Sequence, residues 1–261
     1  MGRTSDYDAP VVLRHITVVA AVILLLSLGA VRVGAAEFAV MSAGALEAGI
    51  TELARQFERD SGHTLRIEIG NAPQLAARLA AGESADVLVA PANVIAQAVA
   101  DRRVVAASRV TVGRVGVGVL VPAGVAKPGI ASVDALRSSL LAATAIVYNQ
   151  GSSGTYIEGM LMRLGIAEAV ASKTVRVLNG EAVMERLSRT RANEMAFVAM
   201  SDAIRATGMQ YVGPLPSTLQ NFTSYDAVVM NRAGQPQAAA AFLAYLTSPA
   251  ARVTWNRAGV D

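Results

Sequence analysis

Two glycines and three hydroxyls stand together in Gly151-Ser152-Ser153-Gly154-Thr155, between an apolar strand pattern, AIVYN, and the amphipathic run YIEGMLMRL. Four kinds of chemistry use such a segment: a serine nucleophile, a phosphate cradle, a receptor for another anion, or plain helix capping. The nucleophile elbow reads G-x-S-x-G. With Ser153 at its centre the last position is Thr155, so the pattern fails. A serine nucleophile also needs a base. Beyond residue 36 the only histidine is His63, in a DSGHT turn ahead of a strand, which places it at the amino end of a sheet. A Ser-Lys pair would have to draw on Lys127 or Lys173, and neither sits beside a junction. A phosphate loop requires Gly-Lys-Ser/Thr, and Gly154 is followed by Thr155. One histidine, no cysteine and no clustered carboxylates give no zinc signature. No catalytic residue, metal or cofactor is therefore assigned, and anion binding stands beside capping.

Three further segments share the small, polar character of this loop: Ser42-Ala43-Gly44-Ala45, Gly70-Asn71-Ala72-Pro73 and Asn179-Gly180-Glu181. Each follows a strand pattern and opens a helix pattern. At such a junction backbone N–H groups lack partners and the positive end of the helix dipole is exposed. In open parallel sheets ligands lie beyond the carboxyl ends of the strands. Any one junction reads as simple capping, since Ser, Asn and Gly are preferred caps. Four together make an anion-binding cleft that needs no buried cation. The candidate ligand-binding residues are Ser42, Gly44, Ala45, Asn71, Ala72, Ser152, Ser153, Gly154, Thr155, Tyr156, Gly180 and Glu181. Glu158 and Glu181 lie in first turns of helices, where acids complement the dipole; either one facing the cleft would repel an oxyanion.

The elements that must position these loops alternate along the chain. Phe38–Met41 reads as a strand. Leu46, Ile50, Leu53 and Phe57 then recur at helical spacing. Leu65, Ile67 and Ile69 alternate with Arg66 and Glu68, the mark of a half-buried strand, and ADVLVAP is a short continuous apolar strand. This βαβα order implies mainly parallel sheets covered by helices. VTVGRVGVGVLV at 110–121 interrupts it with glycines at 113, 116 and 118. They precede no helix and so suit a hinge or bulge rather than a dinucleotide. A second irregular stretch, VGPLPSTLQNFTSYD, comes before the last strand. Two interruptions imply two α/β lobes joined by two hinge crossovers: residues 37–118 with 222–261, and residues 119–221. A single doubly wound domain is the alternative.

The chain has 261 residues, 53% hydrophobic and 16% charged, which excludes disorder. Arg3, Arg14 and His15 precede an uncharged apolar run, Ile16 to Val31, and Gly34-Ala35-Ala36 follows. That is the layout of a secretory signal cut after Ala36, and 16 residues are short of the roughly 20 that span a bilayer. The expectation is a signal peptide over 1–36 and a periplasmic chain beyond it, with an uncleaved anchor as the alternative. Formal net charge is +3, and +2 without residues 1–36. The arginines are dispersed and no aromatics interleave them, so nucleic acid is not an expected partner.

MSAGALEAGITELARQFERDSG, LAARLAAGESADVLVAP, FVAMSDAI and LAYLTSPAARVTWNRAG together resemble the periplasmic molybdate-binding proteins of ABC importers, which have the type II periplasmic binding protein fold. The resemblance covers nearly all of residues 37–261. It implies a non-catalytic receptor, a monomer, that closes two lobes on a small oxyanion such as molybdate or tungstate and docks on an ABC permease of the inner membrane. In that family neutral hydroxyls and backbone N–H groups hold the oxyanion. The usual hydroxyls fall here at Ala45, Ala72 and near Ala199, all absent, which leaves Ser42, Asn71, Ser152, Ser153 and Thr155 at shifted positions. A small organic acid therefore remains an alternative ligand. A serine-dependent hydrolase or transferase on the same scaffold, and a transport-deficient sensor or partner-binding module, are the alternative functions.

Overall fold

A computed structural model describes residues 35–261, and the expected signal segment lies almost wholly outside the described residues. Ten strands form two five-stranded sheets. The first contains β1 (Glu37–Ala43), β2 (Thr64–Gly70), β3 (Val87–Pro91), β4 (Val110–Val115) and β10 (Thr223–Val229), in the order β2-β1-β3-β10-β4. The second contains β5 (Val117–Pro122), β6 (Ala145–Asn149), β7 (Thr174–Val177), β8 (Glu194–Ala199) and β9 (Met209–Pro214), in the order β7-β6-β8-β5-β9. In the first sheet β2, β1 and β3 are parallel and β10 is antiparallel to both of its neighbours. In the second, β7, β6 and β8 are parallel and β5 is the reversed strand. Each sheet is thus mainly parallel with one strand turned round.

The reversed strands are the ones that arrive from the other sheet. The chain passes from β4 to β5 at Gly116 and returns through residues 215–222 into β10. The side chain of Gln220 ties the two crossings together, accepting from Val117 N at 2.9 Å and donating to Val117 O at 3.0 Å. Arg114 lies over the Phe222 ring, 4.5 Å from its centroid, on the same hinge.

Among the described residues ten α-helices cover the sheets: α1 (Glu47–Ser61), α2 (Ala72–Ala80), α3 (Ala92–Ala100), α4 (Val133–Ala142), α5 (Ser152–Arg163), α6 (Ala167–Val170), α7 (Gly180–Ser188), α8 (Met200–Ala203), α9 (Pro236–Leu246) and α10 (Pro249–Arg257). A 3-10 turn, Gly44–Leu46, leads into α1. The apolar stripe of α1, Ile50, Leu53 and Phe57, is buried as its spacing requires, and α1 ends at Gly62 with φ of 76°. Every residue of β3 is buried, as expected of a strand covered on both faces. Phe57 packs against Phe242 of α9 with ring centroids 5.2 Å apart, and Phe38 closes the cluster at 5.9 Å from Phe242. His63 belongs here too: its ring stacks on Phe57 and Nδ1 accepts from Ala36 N at 3.0 Å. It precedes β2 while Gly70, at the far end of that strand, reaches the cleft, so His63 cannot serve Ser153.

Candidate functional site

The carboxyl ends of the parallel strands from both sheets open onto one cleft of about 760 Å³. All four junction loops reach it. Gly44, Ala45, Asn71 and Ala72 line it from the first sheet, and Ser152, Ser153, Gly180 and Glu181 from the second. Ser42, Gly154, Thr155 and Tyr156 do not line it. Ser42 is fully buried in β1. Thr155 is exposed elsewhere on the surface. Tyr156 donates its hydroxyl to Leu219 O at 2.6 Å, with Arg163 over its ring, and so holds α5 to the hinge segment. Gly154 is packing, not contact: a Cβ there would sit 1.6 Å from Asn149 O. Only glycine lets α5 start so close to β6.

The junctions divide into two kinds. Asn71 caps α2 with a full capping box, accepting from Gln74 N at 2.9 Å while Gln74 Oε1 accepts from Asn71 N at 2.8 Å. Its Nδ2 donates across the cleft to Leu178 O at 2.9 Å. Asn179 caps α7 by accepting from Ala182 N at 2.9 Å. At α5 the cap position is Gly151, and no side chain caps the helix. Asn149 Oδ1 instead accepts from Gly151 N at 2.7 Å, one residue upstream of the helix, and Asn149 Nδ2 meets Ser153 Oγ at 3.3 Å. The first-turn N–H groups of α5, Ser152 to Gly154, have no intrahelical acceptor. Ala43 likewise brings no side chain to the turn that leads into α1. Pro91 before α3 and Ala199 before α8 also bring no side-chain cap, so uncapped helix starts face the cleft from both sheets.

The resemblance placed missing hydroxyls at Ala45, Ala72 and Ala199, and all three residues line the cleft. Other polar groups line it that the strand-to-helix pattern did not single out. Tyr225 and Thr223 come from the amino end of β10, which reaches the cleft because that strand is reversed. Tyr225 is 4% exposed, and burial followed by the charge of Asp202 pushes its hydroxyl well above the ordinary value. Asp202 belongs to α8, the short helix after β8, so it sits at a fifth junction whose signal, a strand followed by Met200-Ser201-Asp202, was readable but unremarked. Its side chain is 15% exposed and lies 3.8 Å from Arg205. Burial pushes its carboxyl up to about 6, against the pull of Arg205, and Glu47 adds to the rise. Arg55 and Arg205 line the cleft on the basic side, Glu47, Glu52 and Glu181 on the acidic side. Glu158 stays outside, paired with Arg176 at 3.5 Å. Among the described residues no group of three or more His, Cys, Asp or Glu is placed to hold a metal.

Two lobes, two crossovers and a cleft of helix starts invite comparison with known proteins. The profile of the family described as bacterial extracellular solute-binding protein matches residues 38–261. The chain belongs to that family. This solute-binding protein is 30% identical over 205 residues to an aconitate isomerase from a Pseudomonas species, covering 76% of this chain and 78% of that one. Its fold resembles that of the periplasmic molybdate-binding protein of Azotobacter vinelandii, with a TM-score of 0.70 and 19% identity over 85% of this chain and 98% of that chain. The sulfate-binding protein SubI of Mycobacterium tuberculosis is similar at a TM-score of 0.70 and 17% identity over 86% of both chains. The fold is thus the two-lobed one of periplasmic binding proteins. Among the described residues no helix is long and apolar enough to cross a membrane.

Proposed function

We propose that this solute-binding protein captures a small organic anion with more than one carboxylate in its inter-lobe cleft and delivers it to an ABC permease. In this reading it acts outside the cytoplasmic membrane, as a monomer, and the lobe built on the first sheet closes on the lobe built on the second about the two hinge crossings. The observation that carries the reading is that uncapped helix starts, those at Gly44 and Ser152 among them, stand on opposite walls of one cleft. Each offers a separate place for negative charge, and Arg55 and Arg205 add two cations. A ligand with carboxylates at both ends fits such divided donors better than a single tetrahedral ion, whose usual hydroxyls are replaced here by the methyl groups of Ala45, Ala72 and Ala199. The relative named aconitate isomerase supports a carboxylic acid, whereas the neighbours named for molybdate and sulfate support the oxyanion first expected.

Calorimetric titration of the purified protein with tricarballylate, cis-aconitate, molybdate, tungstate and sulfate decides between them. Tricarballylate and cis-aconitate are expected to bind at least tenfold more tightly than the inorganic ions. Tighter binding of molybdate would restore the oxyanion reading, and no binding by any of them at millimolar concentration would overturn both.

One observation favours a second reading, turnover of the bound acid. Asp202, buried in the cleft near Tyr225, is the kind of group that can take a proton from one carbon of an unsaturated acid and return it to another. Incubation with cis-aconitate, followed by proton NMR for the trans isomer, tests this reading.

A further inference from the structure

Asp202 sits awkwardly in an anion receptor. It lines the cleft, its side chain is largely withdrawn from water, and among the described residues no N–H or O–H donates a hydrogen bond to it. Its only opposite charge is Arg205, at 3.8 Å and on its own short helix. The groups sharing its end of the cleft from neighbouring elements are Glu47 at the start of α1, Glu181 at the start of α7 and Tyr225 on β10. Two of these are acids and the third is a neutral hydroxyl, so beyond Arg205 the only positive potential beside it is the start of α7. Its Oδ2 lies so close over the first residue of α7 that a Cβ at Gly180 would be 2.5 Å away. Asp202 is therefore held in place by packing rather than by hydrogen bonds.

An anion bound in this cleft would bring a further negative charge against a carboxylate that already lacks partners. Two such charges cannot share a low-dielectric site without one taking a proton. A neutral carboxylic acid, by contrast, has an O–H to offer. That is the type of donor the family resemblance would place at positions 45, 72 and near 199, where this chain has alanine.

Resting on the reading of the cleft as an organic-anion receptor, we propose that Asp202 binds the ligand as the neutral acid, donating its O–H to a ligand carboxylate, so that one proton is taken up from solvent with each ligand bound. In the empty cleft burial, opposed by Arg205 and aided by Glu47, already moves this carboxyl part of the way, to about 6. The hydroxyl of Tyr225, pushed above its ordinary value, keeps its proton through the same range.

Tricarballylate is a suitable probe, since it has no double bond to isomerise and is fully ionised above about pH 7. Its affinity for the wild-type protein is expected to fall close to tenfold for each pH unit from 7 to 9. Calorimetry at pH 8 in two buffers of different ionisation enthalpy should report uptake of about one proton per ligand. Asp202→Asn keeps a donor without a titrating proton, so its affinity should be flat over this range with proton uptake near zero. Binding of tricarballylate to the wild type without proton uptake would overturn the proposal and leave the anion receptor standing. The same pH slope in Asp202→Asn would overturn it as well. Absence of binding at every pH would remove the receptor reading and the proposal with it. The wild-type measurement decides even if the variant folds poorly.

Discussion

Asn71 and Gly151 occupy equivalent places, each the last residue before a helix that starts at the cleft, and they use their helices in opposite ways. Asn71 closes its helix with a side chain and a capping box, then reaches across to Leu178 O. Gly151 closes nothing, and the residue that could have capped the helix, Asn149, turns its Oδ1 to Gly151 N instead. A capped helix start has its donors satisfied and contributes stability. An uncapped one keeps its donors available for a ligand, and with glycine at the cap position the cost in helix stability is only about a few tenths of a kcal/mol. In the proposed reading, cleft position alone does not make a junction a binding loop; the deciding feature is whether its N–H groups are already claimed.

Substitutions that separate affinity from stability put this contrast under strain. Ser153→Asp places a carboxylate in the first turn of α5, where the ligand's charge is expected. Anion affinity should drop by about 100-fold, since like charges about 4 Å apart at an effective dielectric near 20 repel by several kcal/mol. Thermal stability without ligand should hold or rise, because an acid in the first turn is favoured by roughly 0.3–1 kcal/mol. Equal losses of affinity and stability would erase the distinction. Gly154→Ala should cost about 1–3 kcal/mol in urea denaturation, because the new methyl meets the Asn149 carbonyl and α5 must shift. Asn179→Ala, on the capped side, should lose about 1 kcal/mol of stability with anion affinity changed by no more than about threefold, roughly 0.7 kcal/mol.

Another expected effect concerns pH in the absence of ligand. The Asp202 carboxyl is raised above its unfolded value, so its contribution to stability is present in full below about pH 4 and is lost as pH rises through about 6. Asp202→Asn should accordingly match the wild type near pH 4 and gain on it above pH 6, as read from unfolding midpoints across that range. A constant difference at all pH values would show that the carboxyl is not strained in the empty cleft.

Most of the scaffold was legible in the sequence because its signals are local. The helical-period stripe of Leu46, Ile50, Leu53 and Phe57, the solid apolar run of β3 and the junction at Asn71 each specify an element from neighbouring residues, and the structure keeps them. The glycine-rich run at 110–121 was rightly read as an interruption, and the chain changes sheets there at Gly116. The cleft was only partly legible. Four junction loops follow from strand–helix order, but Tyr225 reaches the site through strand reversal, a property of pairing between β10 and β3 that no local pattern carries. Asp202 lies in a four-residue helix too short to leave a periodic trace. Thr155 and Tyr156 were grouped with Ser152 and Ser153 because they adjoin them, yet a helix turns about 100° per residue, and that rotation carries them away from the cleft.

The most direct test follows individual amides. Nitrogen–proton correlation spectra of the labelled protein, titrated with tricarballylate, should show the largest shifts at Ser152, Ser153, Gly154, Gly44 and Ala45, with Gln74 and Ala182, whose N–H groups are held by Asn71 and Asn179, nearly unmoved. Large shifts at Gln74 and Ala182 with none at Ser152 to Gly154 would contradict the account.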